Sequence, residues 1–164
     1  MRTPHPFWAT LSFLALGAVV VGFAAPSRAS SAAPACQSGP ASGSWDLPNS
    51  SSTSGLMLGK LVDGTTHLTA YSIKASLTSV PSPCLSCIQG KIQGGLSTPS
   101  GALVYFVQGE YHGSVFTGSG TFSAQIFDPT GPSTQPVGKI SGTFSDPPGS
   151  TTPGTFKGNW EICP

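Results

Sequence analysis

The sequence predicts an all-β fold: behind an N-terminal signal peptide, a small antiparallel meander of about seven to eight strands forms a barrel or a compact sandwich. Three observations predict it. Glycine and proline interrupt the chain so often that only Thr65 to Val80 escapes them for long. In that stretch Thr69, Tyr71, Ile73, Ala75 and Leu77 share one side at the period of a strand, not of a helix. The second observation is a recurrent alternation of a large apolar residue with glycine at every second position. The third is a set of four cysteines, Cys36, Cys84, Cys87 and Cys163, placed where they brace such a domain from end to end.

Met1 to Ala29 reads as a secretory signal. Arg2 gives a positive start, Leu11 to Ala25 is the apolar run, and small residues follow, with cleavage after Ala29 or as late as Ala35. The run is shorter than the roughly 20 apolar residues that cross a bilayer, so no stable membrane span is expected after processing. Residues 30–54 are a Ser/Pro/Gly-rich leading segment with one short strand around Ser44 to Leu47, and 55–164 form the β domain. Strands are expected near Leu56 to Val62, His67 to Leu77, Leu85 to Leu96, Leu103 to Phe116, Thr121 to Asp128, Val137 to Ser145 and Thr155 to Cys163, joined by Gly/Pro/Ser/Thr turns.

The alternation is clearest in Ile88, Gly90, Ile92, Gly94 and Leu96, and again in Val107, Gly109, Tyr111, Gly113 and Val115. It returns in Gly138, Ile140, Gly142 and Phe144, and in Gly154, Phe156, Gly158, Trp160 and Ile162, with a looser copy from Gly118 to Ile126. Successive strand residues point to opposite faces, so each copy puts bulk and notch on one face and mostly Gln, Lys, Ser, Thr and Glu on the other. That pattern suits a tightly curved sheet in which one strand's bulk fills the space a neighbour leaves.

Charge excludes one large class of partner. Past Ala29 the chain carries five lysines against six acids and no arginine, since Arg2 and Arg28 both precede that point. Without a basic surface or a guanidinium to grip phosphate, nucleic acid is not expected as a partner. An exported chain meets an oxidising compartment, which makes two disulfides the default. The spacing favours Cys84 with Cys87 and Cys36 with Cys163, the latter bracketing the whole domain. A redox dithiol at Cys84 to Cys87 would need a βαβ setting, and a zinc ribbon would need a second close pair; the flanking Pro81, Pro83 and strand-like sequence supply neither.

Candidate chemistry is sparse. Downstream of the leader, histidine occurs at His67 and His112. Glu110, His112 and Ser114 share one strand face with Gln108, a row that would serve acid-base or nucleophilic chemistry but equally suits a solvated strand. Asp63, Asp128 and Asp146 stand in turn sequences and Asp46 beside turn-like residues. No nucleophile elbow, phosphate loop or calcium loop is present, so no catalytic residue, cofactor or metal is expected and the protein is read as not an enzyme.

Trp45, Trp160 and Tyr111 are the aromatics that would either pack the interior or touch a ligand. Gly43-x-Trp45 distantly resembles the opening strand of the calycin barrels, the lipocalins and avidins. The resemblance implies a barrel that holds a small apolar ligand in its mouth. The leading expectation is a secreted or cell-surface binding or structural module whose partner is a small apolar ligand or an extracellular protein. The alternatives are a calycin-like carrier and a surface-anchored or outer-membrane barrel. In an outer-membrane barrel, however, the apolar face would not be notched by glycine at every other step.

Overall fold

The computed structural model describes residues 35–48, 54–82, 84–131, 135–146 and 150–163. The signal peptide expected over 1–29 lies outside the described residues. Among the described residues there is no helix, and eight strands follow one another in order: β1 Gln37–Asp46, β2 Ser54–Val62, β3 Thr69–Ser79, β4 Cys87–Ser97, β5 Leu103–Ser114, β6 Ser119–Phe127, β7 Gly138–Ser145 and β8 Gly154–Ile162. Each pairs antiparallel with the next, and β8 pairs with β1, which closes the sheet into a barrel. Closure rather than sandwich packing removes both sheet edges, so no row of backbone N–H and C=O groups is left unpaired at a flank.

The bounds of β2 to β8 fall within two residues of those the alternation predicts. The exception is β1. A short strand near Trp45 was expected, whereas Gln37–Asp46 pairs along most of its length with β2 on one side and β8 on the other. Its Ser, Gly and Pro content is turn-like, but two flanking partners override that local preference. Even Pro40 fits: it faces Asn159 of β8, while the β2 register begins only at Ala41, so the missing N–H falls where one neighbour has ended.

The alternating residues turn inward as a filled core. Trp45, Met57, Leu61, Ile73, Leu77, Ile92, Leu96, Val107, Tyr111, Phe122, Ile126, Ile140, Phe144, Phe156, Trp160 and Ile162 are all buried, and among the described residues no charged or polar one is buried with them. Glycines supply the notches that let this bulk fit. A Cβ on Gly59 would stand 2.8 Å from Cε1 of Phe156, one on Gly43 2.7 Å from the same atom, and one on Gly90 would overlap the Tyr111 ring. At Gly113 the ring that fills the notch is Phe144, 3.0 Å from where a Cβ would sit.

Two aromatic layers divide the core. In one, Trp45 stacks on Phe144 at 4.5 Å between ring centres and meets Tyr111 edge-on at 5.7 Å, with Phe122 and Phe156 completing the group. In the other, Tyr71 touches Tyr105 and Trp160, each at 5.6 Å and nearly perpendicular. Such geometries match the ring quadrupoles and add to simple area burial.

Strand direction sorts the connections to two ends. The connections after β2, β4 and β6 and both ends of the domain lie at one end, where Cys36 and Cys163 are bonded across 127 residues of sequence. The connections after β1, β3, β5 and β7 lie at the other, where Cys84 and Cys87 are bonded. The β2–β3 turn is tied by Asp63, whose carboxylate accepts from the amides of Thr65 at 2.8 Å and Thr66 at 2.6 Å. These contacts, led by the Thr66 amide, hold the Asp63 carboxyl below its usual pKa. Asp128 repeats the device with Thr130, whose hydroxyl and amide lower its pKa. The β5–β6 turn reverses direction through Gly118 at φ 60°, a conformation that costs a residue without Cβ little.

A polar recess on the outer wall

The sites suggested by sequence fall into two groups, and closure of the barrel separates them. Trp45, Trp160 and Tyr111 point into the core and are at most 2 % exposed. The two tryptophans do not face each other: Trp45 pairs in register with Gly154 and Trp160 with Gly39, at opposite ends of the β1–β8 ladder. Trp160 Nε1 donates to the Val62 carbonyl at 3.0 Å, while Trp45 Nε1 is buried without a protein partner. Burial lifts the Tyr111 phenol above its usual pKa, an effect partly offset by a hydrogen bond with Ser79. All three residues act as packing.

Glu110, His112 and Ser114 point outward from β5. His112 Nε2 lies 3.7 Å from Glu110 Oε2, with both side chains more than half exposed. Ser114 Oγ accepts from the Phe116 amide at 3.2 Å, which commits it to the β5–β6 turn. The row therefore brings acid and imidazole together but leaves the hydroxyl facing the turn, so it forms no Ser-His-Glu relay. His67 lies apart in the β2–β3 turn, exposed, with φ 57°. Cys36, Glu161 and Cys163 form a close group of metal-type donors among the described residues, but both sulfurs are spent in a disulfide and Glu161 lies 3.6 Å from Lys139. Without thiolates that cluster has no metal-ligand character.

What the sequence did not reveal is the two-dimensional order of the outer wall. Antiparallel register aligns Gln93, Gln108, Gln125 and Lys139 across β4 to β7, then Lys91, Glu110, Ser123 and Ser141, then Gln89, His112, Thr121 and Thr143. A recess of 820 Å³ opens over β5, β6 and β7, bounded by Gln108, Glu110, His112 and Gln125 and floored near Ser123 and Ser141. A second recess of 240 Å³ adjoins it across β5, sharing Gln108 and Glu110 and reaching Lys91 and Gln93. One register row beyond the amides stands Phe106, 45 % exposed and paired in register with Phe127. The hollow arises because short Ser side chains sit between longer Gln and Glu on a wall that coils with the barrel. Its chemistry is neutral and bifunctional: carboxamides and hydroxyls both donate and accept, and the single acid lies beside the imidazole.

The class thus defined is a closed, disulfide-braced, up-and-down β-barrel with a filled core and a polar outer wall. Comparison with protein-family models, with curated proteins and with solved structures finds no match.

Proposed function

We propose that this domain is an exported, non-enzymatic binding module that takes an uncharged, hydroxyl-rich ligand of the oligosaccharide class on its outer wall. The observation that carries the reading is the recess over β5 to β7, where amides and hydroxyls from adjacent strands stand about 4.8 Å apart in a fixed register. A sugar offers hydroxyls along its edges and C–H groups on its faces; Gln108, Gln125 and Ser123 suit the first, and the exposed Phe106 suits the second. A wall free of arginine and nearly balanced in lysines and acids gives an anionic ligand little to hold. Two disulfides favour an oxidising, extracellular setting.

The filled core argues against the calycin-like carrier, because the rings of Trp45, Phe144, Phe156 and Tyr111 occupy the space that a ligand in the barrel would need. The outer-membrane alternative meets the opposite difficulty: Ser, Thr, Gln, Lys and Glu make up most of the outside, where lipid would require a continuous apolar band. Calorimetric titration with short gluco-, xylo-, manno- and chito-oligosaccharides tests the proposal. Saturable binding to at least one series is expected, weakened about tenfold by Gln108→Ala with Gln125→Ala, the equivalent of about 1.4 kcal/mol in lost hydrogen bonds. Heats indistinguishable from dilution for every series sink it.

A further inference from the structure

Leu85 and Phe116 were expected inside strands, and both instead stand past the strand ends, 105 % and 78 % exposed. Their two loops adjoin. The β4–β5 ladder ends with Cys87 opposite Ser114, and the Val115 amide then donates to the Ser86 carbonyl at 3.0 Å. Leu85 and Phe116 each lie one residue past that bond, in the turns that border the two strands. Two adjoining loops at one end of the barrel thus present a leucine and a phenylalanine to solvent, near the exposed Pro81 and the half-buried Val80 and Val115.

This tip is held firmly. The Cys84–Cys87 bond closes the loop around Leu85, Gln89 Nε2 donates to the Pro81 carbonyl at 2.6 Å, and the Val80 amide donates to the Gln89 carbonyl at 3.0 Å. On the other loop the Ser114 hydroxyl accepts from the Phe116 amide at 3.2 Å, and the Gly118 amide donates to the Ser114 carbonyl at 2.9 Å. Ordering two loops so that their largest apolar side chains face water is unfavourable unless something removes that water.

We infer that this tip docks the barrel on a zwitterionic lipid surface. Charge and shape select that partner. Residues 80–86 and 115–118 contain no charged side chain, and a charge that borders them is an acid, Asp146, whose amide bonds the Gly118 carbonyl. A tip with no cation gains nothing from anionic headgroups. The two side chains project from loop ends instead of lining a hollow, the arrangement an interface accepts without a complementary pocket.

The test places a reporter on the tip itself, because the apolar run Leu11 to Ala25 would bind lipid on its own. In the disulfide-intact full chain, Phe116→Trp in a Trp8→Phe background leaves only the buried Trp45 and Trp160 beside the reporter. Added phosphatidylcholine vesicles should shift the residue-116 emission to the blue and shield it from aqueous iodide. Both effects should be unchanged when salt rises about tenfold, and Leu85→Ser in the same chain should weaken the response about tenfold. An emission indifferent to phosphatidylcholine overturns the inference, as does a shift that needs anionic lipid. A blue shift that follows protein concentration without lipid also overturns it and makes the tip a contact between copies of the chain.

Discussion

Substituting Gly59 by alanine tests whether the glycines really are sockets for rings. The new Cβ would lie 2.5 Å from Cζ and 2.8 Å from Cε1 of Phe156 and would overlap the Ser42 carbonyl oxygen. Carbon atoms in contact sit about 3.5–4.0 Å apart, so the ring must retreat by roughly 1 Å. It has nowhere to go. Phe156 is itself buried, with Phe122 at 5.7 Å and Trp45 at 6.4 Å between ring centres, and the same Cε1 edge also lies over Gly43.

Overpacking of this kind costs about 1–3 kcal/mol, and the smaller backbone entropy of alanine returns about 0.5–1 kcal/mol. The net expectation for Gly59→Ala is a loss of about 1–2 kcal/mol, or roughly 4–8 °C in Tm for a domain of this size. Guanidinium unfolding followed by the fluorescence of the buried Trp45 and Trp160 measures it. Shrinking the ring should relieve the part of the clash that Phe156 makes while leaving the Ser42 carbonyl contact, so Gly59→Ala with Phe156→Leu should be more stable than the sum of the single changes by about 1 kcal/mol. Gly131→Ala is the control, since its nearest neighbour would be Asp128 Cβ at an ordinary 3.6 Å, and it should fall within about 0.5 kcal/mol of the parent. A Gly59→Ala protein as stable as the parent, with no coupling to Phe156, would refute the socket argument.

The remaining predictions concern the braces and the titrating groups. Removing Cys36–Cys163 by paired serine substitution should destabilise by about 4–5 kcal/mol, and removing Cys84–Cys87 by only about 2 kcal/mol, because the denatured chain regains a far longer loop in the first case; calorimetry ranks the two, and the reverse order would contradict the account. Asp63 and Asp128 have depressed folded pKa values, so their contribution to stability is present above pH about 4 and is lost as pH falls through the lower folded values; carboxyl NMR should show both titrating below the ordinary aspartate range. The Tyr111 phenol is shifted the other way by burial, so its contribution is intact below pH about 10 and is lost as pH climbs through the raised folded value. Alkaline unfolding should therefore move to higher pH in Tyr111→Phe, and an unchanged transition would count against the assigned burial.

Most of the fold was legible because period two is a strong signal when glycine marks it. Gly90, Gly94, Gly142 and Gly158 sit on the same face as Ile92, Ile140 and Trp160, so the strand set, the inward face and the use of notches could all be read from one dimension. The extent of β1 could not. Gln37 to Gly43 reads as turn sequence, and what makes it a strand is the presence of β2 and β8 on its flanks, a tertiary cause with no local mark. The same limit explains the tryptophans: Trp45 and Trp160 look alike beside their glycines, and only the β1–β8 register puts them in separate layers.

The outer wall was legible residue by residue and illegible as a surface. Glu110, His112 and Ser114 could be set on one face of β5, but Gln108 gains its meaning from Gln93 and Gln125, which lie on other strands at separations set by turn lengths. The inward and outward faces also constrain each other. Small inner residues such as Gly109, Ala124 and Gly142 let β5, β6 and β7 coil closely, and that coiling creates the hollow above Ser123 and Ser141. Enlarging an inner residue there should therefore flatten the recess while leaving its polar side chains unchanged. If the wall binds an oligosaccharide as proposed, a Gly142→Ala protein that keeps its fold should bind it more weakly in the same titration, a link from core packing to the outer wall that runs through sheet curvature.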